Sequence, residues 1–329
     1  MLHMAPSPSA GRALWRSQNF LRGDSVARDL VRRAGPGRDD LVLEIGPGRG
    51  IITRQLARVC SRVIAVECDR ALCRGLARSL RDLTNVEVVW ADFRHYDLPR
   101  RDYKVVASIP FAITSDIMAK LTTGRHAPTE AHLIMQAEAA RRYAGRPYNR
   151  ESLKSLLLAP RFELSIVHAF RRTDFCPAPH ADTVLLRMQK RDQPLLPAAE
   201  ARAFRDLLCF AFAQRGADIA ARLDRVFTRP QLNRLAHAHS FPLSARVVDL
   251  TVAQWLGLFR YYHTAAAADT REAVAGAERR LLRHQHGLTK IHRSRTAPEW
   301  QRGCARCRER EERGGGRSAR TTRPECRTG

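Results

Sequence analysis

Leu41-Val42-Leu43-Glu44-Ile45-Gly46-Pro47-Gly48-Arg49-Gly50 decides the fold of this chain. Four of its first five residues are apolar, the pattern of a strand buried on both faces. Three glycines then alternate with Pro47 and Arg49, and a helical pattern begins at Ile51 with Leu56, Ala57 and Val59 on its apolar side. Strand, glycine turn and helix in succession are how a parallel α/β sheet presents backbone N–H groups to a ligand at the carboxyl edge of its first strand. A Cβ in such a turn would hold the ligand off and forbid positive φ. A glycine turn can also be only a turn, so the spacing of the next strands matters.

Residues 62–66 read as a second strand, ending on Glu67, about 20 residues after the glycines, where a ribose-binding carboxylate belongs. Residues 86–90 read as a third strand, ending on Ala91-Asp92, and 104–107 as a fourth, ending on Ser108-Ile109-Pro110-Phe111. One sheet edge thus collects glycines, two acids and a Pro-aromatic tetrapeptide. Plainer alternatives exist: Glu67 as a solvated strand-end acid, Asp92 as a helix N-cap, and the tetrapeptide as a turn that Pro110 alone explains. Residues 131–136 read as a fifth strand, and 162–170 and 183–188 as a closing antiparallel pair. The loop between that pair, with Pro177 and Pro179, is expected to wall a target pocket.

With these strand ends, three further segments carry a resemblance: Ser17-Gln18-Asn19-Phe20-Leu21, Gln136-Ala137-Glu138-Ala139-Ala140-Arg141-Arg142-Tyr143, and Phe175-Cys176-Pro177-Ala178-Pro179-His180-Ala181-Asp182. The chain resembles the ribosomal RNA adenine N6-methyltransferases over residues 12–263, and within them the erythromycin-resistance (Erm) type acting on 23S rRNA. The resemblance implies an α/β fold, a class I (Rossmann-like) methyltransferase with a seven-stranded mixed sheet plus a small all-helical C-terminal domain. It implies S-adenosyl-L-methionine as cofactor, contacted by Asn19, Leu21, Gly46, Gly48, Glu67, Asp92 and Ser108. Glu67 is expected to accept from the ribose hydroxyls and Asp92 from the exocyclic amine of the cofactor's adenine. Ser108, Ile109, Pro110 and Phe111 are expected to form the catalytic centre, where carbonyls hold the target N6 amine and Phe111 stacks on the extruded base. The family tetrapeptide usually begins with Asn, and here Ser108 stands in its place. Methylation of the peptidyl-transferase loop adenine would obstruct macrolides, lincosamides and streptogramin B.

Composition agrees with a polyanionic partner. The 329 residues carry a net charge of +24, with 57 basic residues against 33 acidic. Five of the basic residues are Lys and the other 52 Arg. GC-rich coding explains Arg over Lys, but not the excess of base over acid. Residues 1–11 read as a disordered leader without the apolar core of a signal peptide. No run reaches the ~20 apolar residues of a membrane span, so the cysteines are expected to be reduced in the cytoplasm. Cys304-Ala305-Arg306-Cys307 has metal-ligand spacing but no second pair, with only Cys326 and His292 nearby, and no metal is expected. Cys176 is expected to be structural, since a nucleophilic thiol suits a carbon target rather than an exocyclic nitrogen.

The expected organisation is a leader at 1–11, a methyltransferase domain at 12–190, a helical RNA-binding domain at 191–263 and a basic, largely disordered tail at 264–329, with a helix near 271–283. The helical patterns fall at 199–213, 217–226, 230–236 and 252–262. Arg202, Arg205, Arg215, Arg222, Arg225, Arg229 and Arg234 there are expected to offer a basic surface. The expected partner is 23S rRNA before the ribosome is fully assembled, with no membrane and no obligate protein partner, the enzyme acting as a monomer. Two rivals remain: a small-subunit rRNA adenine dimethyltransferase, and a non-catalytic RNA-binding factor on the same fold, for which Ser108 is the best support. A nicotinamide dehydrogenase fits poorly, since Gly50 comes one residue early for G-x-G-x-x-G.

Overall fold

The computed structural model describes residues 20–286. The leader, Asn19, the Cys304 and Cys307 pair with Cys326 and His292, and the tail beyond residue 286 lie outside them. From the N-terminus the chain forms β1 (Phe20–Leu21), α1 (Asp24–Ala34), β2 (Leu41–Ile45), α2 (Ile51–Ala57), β3 (Arg62–Glu67), α3 (Arg70–Ser79), β4 (Val86–Trp90), β5 (Lys104–Ser108) and α4 (Thr114–Thr123). It continues with β6 (Glu130–Gln136), α5 (Ala137–Ala144), α6 (Leu153–Leu158), β7 (Phe162–Phe170), β8 (Phe175–Cys176) and β9 (Thr183–Lys190).

As expected, seven strands form one mixed sheet; their order is β4-β3-β2-β5-β6-β9-β7. β4 through β6 run parallel, and β9 pairs antiparallel with both β6 and β7. The strand order reverses beside β2, which places a crevice at the carboxyl ends of β2 and β5, the usual ligand position in an open α/β sheet. Both sheet faces are covered. Leu43, Ile45, Val66, Val105, Ala107 and Leu133 bury one face, and Val42, Val63, Val106 and Ile134 bury the other under Leu30 of α1 and Leu56 of α2. Each Val, Leu or Ile side chain among them contributes ~1.5–3 kcal/mol by leaving water, which is why the strands read as continuous apolar runs.

Val59 departs from expectation. α2 ends at Ala57, the chain turns through hydrogen bonds from the Val59 and Cys60 N–H groups to the Leu56 carbonyl, and Val59 is 38% exposed. Cys60 takes the inward position instead. The loop between β7 and β9 holds the N-terminal segment. Its strand β8 pairs with β1, Phe20 opposite Cys176 and Leu21 opposite Phe175, and the Arg22 N–H donates to the Asp174 carbonyl at 2.6 Å. Cys176 thus serves in a two-stranded clip that fixes the N-terminal segment.

The C-terminal half of the fold is helical: α7 (Ala201–Ala213), α8 (Ile219–Arg222), α9 (Arg229–Ala238), α10 (Val252–Ala265), α11 (Ala268–Val274) and α12 (Ala277–His286). Its core is built on Phe204, Leu207, Trp255, Leu258 and Phe259, with the Phe204 and Phe259 rings edge to face at 5.3 Å. The buried Trp255 indole N–H donates to the Val247 carbonyl. Within the segment expected to be largely disordered apart from a helix near 271–283, residues 268–286 form two helices. Asp206 of α7 is buried and accepts the N–H groups of Gly276 and Glu278, both at 2.9 Å, and Arg205 forks onto the Glu278 carboxylate. Two polar anchors thus dock α11 and α12, which a composition argument could not foresee. Arg205 is therefore spent on packing. Arg222 likewise donates to the carbonyls of Gly216 and Phe212, so neither is a free cation of the expected basic surface. Among the described residues no helix is long and apolar enough to cross a membrane.

Candidate active site at the carboxyl edge of the sheet

An open cleft of about 520 Å³ lies where the strand order reverses. One side is the turn after β2, with Gly46, Pro47, Ile51 and Ile52. The other is Ser108-Ile109-Pro110-Phe111 after β5, and Phe20 and Leu21 of β1 complete it. Of the sequence-predicted site residues, Leu21, Gly46 and the whole tetrapeptide line this one cleft. Asn19 falls outside the described residues.

The glycine turn explains its own composition. Gly48 has φ +55°, and a Cβ there would sit 2.5 Å from Cε1 of Phe20. The Phe20 ring can lie against the turn only because position 48 has no side chain, and the Arg49 guanidinium stacks 5.6 Å from the centre of that ring. Gly48→Ala is expected to cost about 1–3 kcal/mol from left-handed strain and overlap, read as a lower urea midpoint with an unchanged m-value.

Gly48 also holds Glu67. Its N–H donates to Oε2 at 3.1 Å, and the Asp69 N–H donates to Oε1 at 2.9 Å. Glu67 is fully buried at the end of β3. Burial raises its carboxyl above the usual range, and these two N–H donors offset part of that rise. Asp92 is 5% exposed after β4. It accepts the Arg94 N–H at 2.9 Å and the Arg94 guanidinium at both oxygens, with Nη2 to Oδ2 at 2.6 Å. Burial alone would raise the Asp92 carboxyl, but Arg94 outweighs it and holds the group below its ordinary value. The N-cap role is therefore real, and a ligand amine would share Asp92 with Arg94. Between the two acids, burial together with the Glu67 and Asp92 charges pushes the Cys68 thiol up to about 12. It stays protonated and is no nucleophile.

The tetrapeptide is stiff. The Ile109 N–H is tied to the Ile134 carbonyl at 3.2 Å, Pro110 has φ −62°, and a short 3₁₀ turn follows over Phe111–Ile113. The Ile113 N–H takes the Pro110 carbonyl and the Thr114 hydroxyl takes that of Phe111 at 3.1 Å. Ser108 and Phe111 are half-buried and border the cleft. Among the described residues no group of His, Cys, Asp and Glu is arranged to hold a metal ion. Sequence reasoning missed Pro47, Ile51, Ile52 and the clip that brings Phe20 to Gly48. Two residues of strand give no readable alternation.

A profile of the ribosomal RNA adenine dimethylase family matches residues 16–264. The chain is 35% identical over 246 residues to an rRNA adenine N-6-methyltransferase of Aeromicrobium erythreum, covering 74% of this chain and 71% of that one. It is 31% identical over 261 residues to the ribosomal RNA small subunit methyltransferase A of Acaryochloris marina, covering 75% of this chain and 96% of that one. Among solved structures, the 23S rRNA methyltransferase ErmE superposes with a TM-score of 0.69 at 30% identity, over 75% of this chain and 100% of that one. The cleft, the sheet that builds it and these matches lead to one conclusion: the chain belongs to the ribosomal RNA adenine dimethylase family.

Proposed function

We propose that the protein transfers a methyl group from S-adenosylmethionine to N6 of one adenine in 23S rRNA, and that this modification protects the ribosome against macrolides, lincosamides and streptogramin B. The observation that carries it is the tetrapeptide 108–111 facing the glycine turn across a single cleft, in a fold that the ErmE enzyme shares over its whole length. The residues present fit the cofactor: the glycine turn lets the Phe20 ring seat against Gly48 at the edge of the cleft, and Glu67 offers a buried carboxylate held by the Gly48 N–H. Glu67 would hold the ribose hydroxyls, Gly46 and Gly48 would let the ligand approach the backbone, Leu21 and Asn19 would flank it, and Asp92 would accept an adenine amine. When bound, S-adenosylmethionine would supply a methyl carbon on a sulfonium, open to in-line attack by a nitrogen without a strong base, the C–S bond breaking and the neutral thioether leaving as the N–C bond forms.

The chain's part is positioning. Phe111 gives the extruded target adenine a face to stack on. The Pro110 and Phe111 carbonyls are committed to the turn, so those of Ser108 and Ile109 are the proposed acceptors of the N6 hydrogens. They aim the nitrogen lone pair, and N6 sheds its proton to water afterwards. The Ser108 side chain is then secondary to its carbonyl. Ser108→Ala should lower turnover by no more than about tenfold, the worth of one neutral hydrogen bond, in a single-turnover methylation assay. A larger loss would assign the chemistry to the hydroxyl.

Digesting rRNA methylated with labelled cofactor to nucleosides tests the atom assignment. Label in N6-methyladenosine or N6,N6-dimethyladenosine is the expected result, and label in any other nucleoside contradicts it. Modification of small-subunit rRNA instead is favoured by one observation, the 31% identity to the Acaryochloris marina enzyme over 96% of its length.

A further inference from the structure

Glu44 is the acid that the proposed mechanism does not use. It lies in the middle of β2 with 1% exposure, and neither carboxylate oxygen has a hydrogen-bond partner among the described residues. The hydroxyl of Thr53, fully buried in the first turns of α2, is also unpartnered. β2 and β3 pair with Val42 opposite Val63 and Glu44 opposite Ala65. Glu44 therefore points to the sheet face that carries Val42 and Val63, and Glu67 follows Ala65 by two residues on that same face. Two acids thus stand in one row, Glu67 at the carboxyl end of β3 against the Gly48 N–H, and Glu44 in β2 two residues before Gly46, which lines the cleft. Around Glu44 this face is apolar, with Leu30, Ile52, Leu56 and Val106; farther along it stand Lys104 of β5, Glu130 and buried His132 of β6, and Arg187 of β9. Among the described residues Glu67 from β3 is the titratable group that acts on Glu44, and the Thr53 hydroxyl of α2 lies nearby; burial lowers His132 to about 4, so it stays neutral near pH 7.

A buried carboxyl with no donor and an acid for a neighbour is tolerable only when protonated. Burial, and then the Glu67 charge, push Glu44 up to about 8, which the nearby Thr53 hydroxyl moderates without reaching hydrogen-bonding geometry. At neutral pH the cofactor-free protein therefore holds a proton behind its glycine turn. A positive charge brought into the adjoining cleft favours the carboxylate. By linkage, whatever drives that proton off is bound more tightly as pH rises.

We propose that Glu44 is a charge-sensing positioning residue of the cofactor site, releasing its proton to water when the sulfonium of S-adenosylmethionine binds and regaining one when the methyl has gone. The inference rests on the proposed cofactor. S-adenosylhomocysteine has the same ribose and adenine but an uncharged thioether, so it makes the same demand on Glu67 and none on Glu44. The device favours cofactor over spent product, and more so with rising pH up to the Glu44 titration.

Calorimetric titration of the wild-type protein at pH 7, in two buffers of different ionisation enthalpy, counts the protons. S-adenosylmethionine should release roughly 0.5–1 proton more than S-adenosylhomocysteine. Between pH 6 and 8 its Kd should tighten by up to about tenfold per unit. In Glu44→Gln the difference in proton count should vanish, and the preference for cofactor over product should lose its pH dependence. Equal proton counts for both ligands in the wild type would overturn the proposal without any variant, as would a difference that survives in Glu44→Gln. No binding of either ligand would overturn the proposed cofactor, and this inference with it. Binding without differential proton release overturns this inference alone.

Discussion

Replacing Phe111 by Ala should cut methyl transfer by about 5- to 150-fold, the rate equivalent of the ~1–3 kcal/mol that one base–aromatic stack supplies. The ring is half-buried at the cleft, and Pro110 with the Ile109 tie to β6 fixes the backbone that carries it. Truncation therefore removes a stacking surface without loosening the turn. Its effect should appear in single-turnover rate at saturating RNA, with the calorimetric Kd for S-adenosylmethionine within about twofold of wild type, since RT ln 2 is well under one lost contact. Phe111→Tyr keeps the face and should recover most of the rate. Equal losses in Ala and Tyr variants would mean that shape, not stacking, is what position 111 supplies.

Glu44→Gln should stabilise the cofactor-free protein, and increasingly so with pH. The folded-state pKa of Glu44 is raised from 4.5 to about 8. Between those values the native state keeps a proton that the unfolded chain releases, so wild-type stability falls as pH rises through the window and levels off above it. A Gln of the same shape carries no such dependence. The gap between variant and wild type should open from near zero at pH 4.5 to as much as about 5 kcal/mol above pH 8, at ~1.4 kcal/mol per pKa unit. Glu67 shifts in the same direction, but it is present in both proteins and cancels. Urea unfolding at pH 5.5 and 8.5 measures the gap. Parallel stability profiles for the two proteins would mean that Glu44 is solvated or paired in solution.

The sheet was legible because its strands are buried on both faces. The apolar runs 41–45, 62–66, 86–90 and 104–107 each became a strand, and spacing alone put Gly46, Glu67 and Ser108 at one edge. What stayed hidden was tertiary. β1 and β8 are two residues each and gain their order only by pairing with one another. Helices α11 and α12 sit in a stretch rich in Arg and Ala, and their docking depends on Asp206 meeting the N–H groups of Gly276 and Glu278, some 70 residues away in sequence. Val59 was placed inside because helical periodicity runs on in sequence, whereas the chain turns at residue 58 to reach β3. Nothing in the sequence singles out Glu44, and only its burial without partners gives it significance.

The most direct test of the central claim is methyl transfer from labelled S-adenosylmethionine to protein-free 23S and 16S rRNA, with the modified base located by primer extension. One stop at a single 23S adenine and none in 16S is the predicted result. Label confined to 16S rRNA, or none in either RNA while the cofactor still binds, would contradict it.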